Sequence, residues 1–295
     1  MPAMPKIINT LAAAAALLGT ATTHTAVEKF TIGGVEYPGF YQRSKQDPGN
    51  QSPAWWTEQG WGYQPVYGDA INTADFICHI GASPSPYTVE APAGSDIIFT
   101  WKHEGECGGN EVGWDCSHHG YTATDLAPCN GDCSKVDPAS LEFFKIHSAG
   151  LIDYREGRFS QGSPQERSGF WGTDAIFYEN SNTQIVKIPS IPNGNYVVRT
   201  EVMSVHNNGD VSNRQFWPQC ANIKVTGGDD SAPIPAGTKA TELYKASDAL
   251  LQFDIYWHQA GETLAAPGPA IAKSISTSLA SLSKKGRRHA CDMKS

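Results

Sequence analysis

Two histidine positions offer a compact metal chemistry. Cleavage after Thr23 would leave His24 as the first residue, and an N-terminal histidine presents both its α-amino nitrogen and its imidazole to one ion. A third nitrogen is available in Ser117-His118-His119-Gly120. Three neutral nitrogens in a T suit tetragonal copper(II). Read singly, a histidine near a processing site and a histidine pair in a glycine-flanked loop are ordinary surface residues. A zinc set drawn from Cys107, Cys116, His118 and Cys129 or Cys133 competes, but its spacings follow no common zinc pattern, and an oxidising compartment favours bridges.

The copper reading requires secretion and processing, and the first residues carry signals for both. Lys6 gives a positive flank, Ile7 to Leu18 is a short apolar run, and Gly19 to Thr23 is small and polar, so residues 1–23 read as a signal peptide. That run is too short to span a bilayer, and no later stretch reaches spanning length without a charge or turn residue. The mature chain is expected to be extracellular, free of the membrane and monomeric. Lys and Arg total 22 against 30 Asp and Glu, a net charge of −8, which argues against nucleic acid as a partner. The charge is uneven: from Ile271 onward the cations Lys273, Lys284, Lys285, Arg287, Arg288 and Lys294 meet a single anion, Asp292. Cys78, Cys107, Cys116, Cys129, Cys133 and Cys220 could form three disulfides, leaving Cys291 in the basic tail as the odd thiol.

The 295 residues must position these groups, and the 29 Gly, 19 Pro and eight Trp point to short strands joined by many turns. Thr25 to Ile32 alternates like a half-buried strand, and Asp96–Trp101, Gln184–Ile188, Tyr196–Val205, Ala221–Thr226 and Leu250–Tyr256 follow suit. A helix is expected only around Pro138–His147. The fold class is therefore all-β, an antiparallel sandwich with long loops. The folded domain is set at residues 24–270, and the Ala-, Ser- and Lys-rich residues 271–295 read as a flexible tail.

Many ordered segments resemble the fungal lytic polysaccharide monooxygenases of auxiliary-activity family nine, once classed as glycoside hydrolase family sixty-one. They are His24-Thr25, Gly33–Phe40, Asp75–His79, Ser117–Gly120, Cys129–Asp137, Leu141–Ile146, Gly194–Glu201, Gln215–Cys220, Tyr244–Tyr256 and Pro267–Pro269. The resemblance implies an immunoglobulin-like sandwich whose flat face holds one copper ion in a brace of His24 and His118, with His119 a neighbour. It assigns His206 and Gln215, nine residues apart, to an outer pair that orients the oxygen species. It pairs Cys78 with Cys220 and Cys129 with Cys133, leaving Cys107 and Cys116 as an extra bridge.

Three positions depart from the family pattern. Trp217 stands where the family has an axial Tyr, and an indole N–H donates but cannot ligate as a phenol oxygen can. Tyr121 replaces the Pro that usually follows the His118 motif. Leu264 replaces a flat Tyr offered to cellulose, a loss for which Trp55, Trp56, Trp61 and Tyr63 are candidates to compensate, although burial is as good a reading for each.

The implied function is copper-dependent oxidative cleavage of β-1,4-glucan at C1, C4 or both, with cellulose or a related glucan, an external electron donor, and dioxygen or hydrogen peroxide as partners. Two other readings stay open. A hydrolytic glycosidase would need two facing carboxylates, and only the loop residues Glu104, Glu106 and Asp115 cluster. A non-catalytic copper- or carbohydrate-binding relative would follow if Trp217 fills the axial position.

Overall fold

The computed structural model describes residues 24–39, 51–57, 64–104, 118–153, 169–206, 210–255, 264, 266–272 and 275. The signal segment, Cys107, Cys116, Glu106, Asp115, Trp61, Tyr63 and Cys291 lie outside the described residues.

Two sheets carry the fold. The smaller orders β10 (Thr183–Lys187), β5 (Asp96–Glu104), β1 (His24–Ile32) and β2 (Val35–Pro38). The larger orders β13 (Thr238–Lys239), β7 (Glu142–Ala149), β6 (Thr122–Pro128), β11 (Gly194–Ser204), β12 (Gln215–Thr226) and β3 (Val66–Tyr67), with β4 (Val89–Pro92) pairing parallel to β12. A small ribbon joins β8 (Leu151–Asp153) to β9 (Phe170–Trp171).

Between the sheets lies one apolar core, where Val27, Phe30, Phe99 and Trp101 meet Leu126, Val198, Val202 and Trp217. A second core covers the other face of the larger sheet, against the short helix α1 (Asp75–Cys78) and the turns around Leu243 to Ile255. Strand β11 is central and covered on both sides, so its residues from Tyr196 to Ser204 are buried without a break. Its two charged residues, Arg199 and Glu201, pair with each other at 2.7 Å.

The disulfides Cys78–Cys220 and Cys129–Cys133 are present as the family pattern implied. The first ties α1 to β12; the second removes two sulfurs from the zinc set considered above.

Two expected elements differ. The helix expected at Pro138–His147 is a 3-10 turn, Pro138–Ser140, running into strand β7. Phe144 and Ile146 alternate into the sandwich core, and a two-residue period outweighs the helix-compatible spacing. The strand expected at Leu250–Tyr256 is a run of turns as far as it is described. There the Asp248 carbonyl takes hydrogen bonds from Leu251 N and Gln252 N, while Leu250, Leu251 and Ile255 fill the second core. Buried apolar residues thus looked like a strand without strand pairing. Packing also continues beyond residue 270: Ile271 and Ala272 lie against the sandwich core, and Ile275 is buried in it.

His79 ends α1 with φ +96 and ψ 167, a region few residues other than glycine adopt. Burial pulls its imidazole down to about 4, against a hydrogen bond with the Gln64 backbone, and its Nδ1 accepts from Ile80 N. A base whose folded pKa is depressed is stable as the neutral form and loses stability as pH falls from 6.5 toward 4, by about 3 kcal/mol. Asp125 acts oppositely: burial raises it to about 6, so its cost is present above that pH and relieved below. Urea unfolding of His79→Asn between pH 7 and 4 is therefore expected to show a gain on acidification that the wild type lacks; parallel profiles would remove His79 as the acid-sensitive group.

Candidate metal centre

One end of the sandwich gathers the candidate residues, and strand direction explains why. The far end of β1 lies by β4, where a Cβ on Gly33 would stand 3.1 Å from the Glu90 carbonyl oxygen, and Glu90 pairs with Lys224 near the end of β12. Midway, Val27 N donates to Gln219 Oε1 at 2.8 Å. Strands β1 and β12 therefore start at the same end, so the backbone of His24 begins beside the end that carries Gln215 and Trp217. The side chain of His24 lies outside the described part of the structure. A register shift between Val27 and Lys29 in the β1–β5 pairing turns Val27 N out of that ladder and toward Gln219.

The loop before β6 delivers His118 to the same end. His119 O accepts from Val205 N at 2.9 Å, and Gly120 is clamped between Thr173 Oγ1, which accepts its N–H at 2.9 Å, and β11. A Cβ on Gly120 would fall 1.7 Å from the Met203 carbonyl oxygen, so only glycine lets the loop lie this close. His119 Nδ1 meets Asp174 Oδ1 at 2.8 Å, and Asp174 Oδ2 accepts from Trp171 N at 2.8 Å. Both members of that pair are buried. The Asp174 contact engages Nδ1 of His119 and ties this ring to the scaffold.

The His118 ring stacks on His206 with centroids 3.7 Å apart and planes 29° from parallel. His206 Nδ1 contacts Ser204 Oγ at 2.5 Å, which fixes the imidazole, and Ser204 pairs with Gln215 across β11 and β12. Gln215 Oε1 is buried without a hydrogen-bond partner. Trp217 is fully buried, with its ring centroid 6.4 Å from that of His118. Among the described residues no three His, Cys, Asp or Glu side chains converge on a metal position. The described donors are nonetheless two stacked imidazoles, with an acceptor oxygen in need of an O–H or N–H on the neighbouring strand. Imidazole nitrogens of this kind suit a copper ion that would take further nitrogens from the chain start.

Tyr121, in place of the usual Pro, does not enter this site. Its backbone carbonyl accepts from Met203 N at 2.9 Å, and its ring turns into the second core, where the hydroxyl donates to Glu201 Oε1 at 2.7 Å. Tyr244 donates to the same oxygen, and Arg199 holds the other at 2.7 Å. Nothing in the sequence patterning separated this buried group from surface charges. The only signal was a pair of charges, Arg199 and Glu201, inside an otherwise apolar run. Of the aromatics considered as replacements for a ring at Leu264, Trp55 is excluded: it is buried, with Nε1 donating to Asn222 Oδ1 at 2.7 Å. Trp56 is partly buried and bridges Ser83, and Leu264 is itself partly buried and bridges Leu151.

A fully buried Trp217 beside His118 gives a definite expectation. Were copper held at His118, Trp217→Tyr would offer it a phenol oxygen in place of the indole and alter the electron paramagnetic resonance spectrum, with copper affinity changed by less than about tenfold because the nitrogen donors carry the strong bonds. Identical spectra for the two proteins would show that position 217 does not face the metal.

The antiparallel sandwich thus gathers the stacked His118–His206 pair and the start of β12, with Gln215, at one end. The chain matches the profile of Auxiliary Activity family 9, formerly GH61, over residues 24–263, and it belongs to that family. It is a copper-dependent oxidoreductase acting on polysaccharide, which sets aside the hydrolytic reading. It is 38% identical to the AA9 family lytic polysaccharide monooxygenase AA17 of Aspergillus oryzae, over 91% of this chain and 98% of that protein. It is 42% identical to monooxygenase E of Aspergillus tamarii, over 70% and 73%. Among solved structures, the extended catalytic domain of LPMO9A from H. jecorina superposes with a TM-score of 0.69 at 31% identity, covering 85% of this chain and 91% of that one. A cellulose-active polysaccharide monooxygenase from M. thermophila gives 0.65 at 28% identity, covering 85% and 99%.

Proposed function

We propose that the chain is a secreted monooxygenase cleaving β-1,4-glucan, cellulose foremost, at C1, C4 or both, on one copper ion held by His24 and His118. The observation that carries this is the His118–His206 stack, with an unpartnered Gln215 Oε1 on the strand paired with the one that leads to His206. When bound, copper supplies one-electron redox chemistry that lets dioxygen or hydrogen peroxide remove a hydrogen beside the glycosidic bond. The protein's residues do the rest. His118 binds, and the His119–Asp174 pair orients its loop. Ser204 at Nδ1 fixes His206, so that Nε2 is the atom at which this ring holds or delivers a proton. Gln215 Oε1 can accept an O–H where the co-substrate is hydrogen peroxide. Trp217, buried beside His118, offers carbon and an N–H there and no oxygen donor. In this reading residues 1–23 direct secretion and are removed ahead of His24, with the basic residues 271–295 following the catalytic body.

The test is incubation of the copper-loaded mature protein with cellulose and ascorbate, followed by mass spectrometry of the soluble sugars. Oligosaccharides oxidised at C1 or C4 are expected, and native mass spectrometry should show a chain beginning at His24 with one copper. The burial of Trp217 next to His118 favours a second reading, a copper-binding relative without catalysis. Bound copper with no oxidised sugar would select it.

A further inference from the structure

Among the described residues, the large exposed hydrophobic side chains are Val35, Tyr67, Ile152, Ile185 and Ile234, and Tyr67 is the one aromatic, at 46% exposure. Its place is informative. Strand β3 pairs with β12 so that Tyr67 stands opposite Gln215 and Val66 opposite Phe216. Opposed residues of an antiparallel pair leave the sheet on the same side, with Cβ atoms about 5 Å apart. Val66 and Phe216 fill the second core, so Tyr67 and Gln215 share the other face. On that face the row continues from Gln215 to Ser204, its partner on β11, and Ser204 holds His206. Tyr67 therefore sits two strand spacings, about 10 Å, from the strand that ends at the candidate site.

The backbone beside Tyr67 is held in position. Gly68 N donates to Arg214 O at 2.9 Å, and a Cβ on Gly68 would fall 1.8 Å from the Val211 carbonyl oxygen, so the chain leaving Tyr67 is packed onto the turn that leads into Gln215. Arg214, buried beneath, donates from Nε to Leu251 O at 3.0 Å and from a guanidinium nitrogen to Phe253 O at 2.6 Å. Asp69 and Asn213, in the two abutting turns, are exposed. A half-exposed aromatic on an anchored backbone matches a pyranose, whose axial C–H face is apolar. Leu264 and Trp55 do not supply such a face, for the reasons given above.

We infer that Tyr67 is a sugar-stacking platform, binding a pyranose unit of the polysaccharide one or two residues along the chain from the bond at His118 and His206. The inference rests on the proposed function for its ligand class. Its readout is binding, which separates its failure from failure of that reading.

The experiment is a reductant-free binding isotherm of copper-loaded wild type, Tyr67→Ala and Tyr67→Phe on cellulose, with peroxide formation measured in parallel without polysaccharide. Tyr67→Ala is expected to bind roughly three- to tenfold more weakly, the range an aromatic contact carries. Tyr67→Phe should bind like the wild type, and all three should form peroxide at the same rate. Equal binding by Tyr67→Ala, or weak binding by Tyr67→Phe, would overturn the platform. Loss of peroxide formation in Tyr67→Ala would also overturn it, by giving the ring a structural role in the site. Failure of the wild type to release oxidised sugars would instead reject the cleavage reading.

Discussion

Replacing His118 with alanine is expected to abolish stoichiometric copper binding and, with it, release of oxidised sugars. The loss should exceed the roughly 10–100-fold that removal of an outer hydrogen-bond partner costs, because an imidazole donor itself disappears. Its neighbour makes the contrast. His119→Ala leaves His118 in the chain but strips Asp174 Oδ1 of its buried partner, so it should weaken copper only within that 10–100-fold range while costing more stability than His118→Ala. Isothermal titration with copper and thermal unfolding of the apo proteins measure the two effects separately. A His118→Ala protein that binds copper as tightly as the wild type would overturn the assignment of the ligand. Because the brace needs neutral imidazoles and a free amine, wild-type affinity is also expected to fall as pH drops through the imidazole range.

The largest stability effect is expected at Arg199. Its guanidinium lies in the second core, with Nε donating to Ile77 O at 2.9 Å, Nη2 pairing with Glu201 at 2.7 Å and Nη1 3.6 Å from Asp125. The Phe76 ring lies 5.0 Å away beneath it. Arg199→Met preserves much of the volume but leaves two buried carboxylates without their cation, a change that costs about 3–5 kcal/mol. Tyr121 and Tyr244 cannot compensate as charges: burial pushes both phenols well up, so they remain neutral donors to Glu201. The sign of the pH dependence follows. Asp125 is already raised to about 6 by burial against the opposing pull of Lys145 and Arg199, and losing Arg199 raises it further. The cost of a carboxyl whose folded pKa is raised is present above that pKa and relieved below it. Arg199→Met should therefore be most destabilised near pH 7.5 and recover part of the loss at pH 5, as guanidinium unfolding at the two values would show. An equal deficit at both would mean the arginine acts through packing alone.

Much of this protein was legible because its pattern is local. Strands β1, β5, β10 and β11 follow from alternation and β-branched residues, and the ends of β11 were placed within two residues. The helix at Pro138–His147 and the strand at Leu250–Tyr256 were misread for one reason. A short apolar stretch does not say whether its backbone hydrogen bonds go to a neighbouring strand or to its own turn. Register with β6 decided the first, and the Asp248 carbonyl with its two donors decided the second.

For the site, residue type alone pointed to a histidine at 24 and a pair at 118 and 119, since donor chemistry is a property of the side chain; the outer pair His206 and Gln215 came only from the family resemblance. What the fold adds is the environment of each ring: the packing of the Gly172–Asp174 turn against Gly120 brings Asp174 to His119, while His118 stacks on His206. Likewise Trp55 and Tyr67 are both aromatic and close in sequence, but one is sealed against Asn222 and the other stands in solvent opposite Gln215. Strand pairing over separations of more than a hundred residues sets those outcomes, and the physical cause is that burial and register belong to the assembled sheets, whereas chemical identity belongs to each residue by itself.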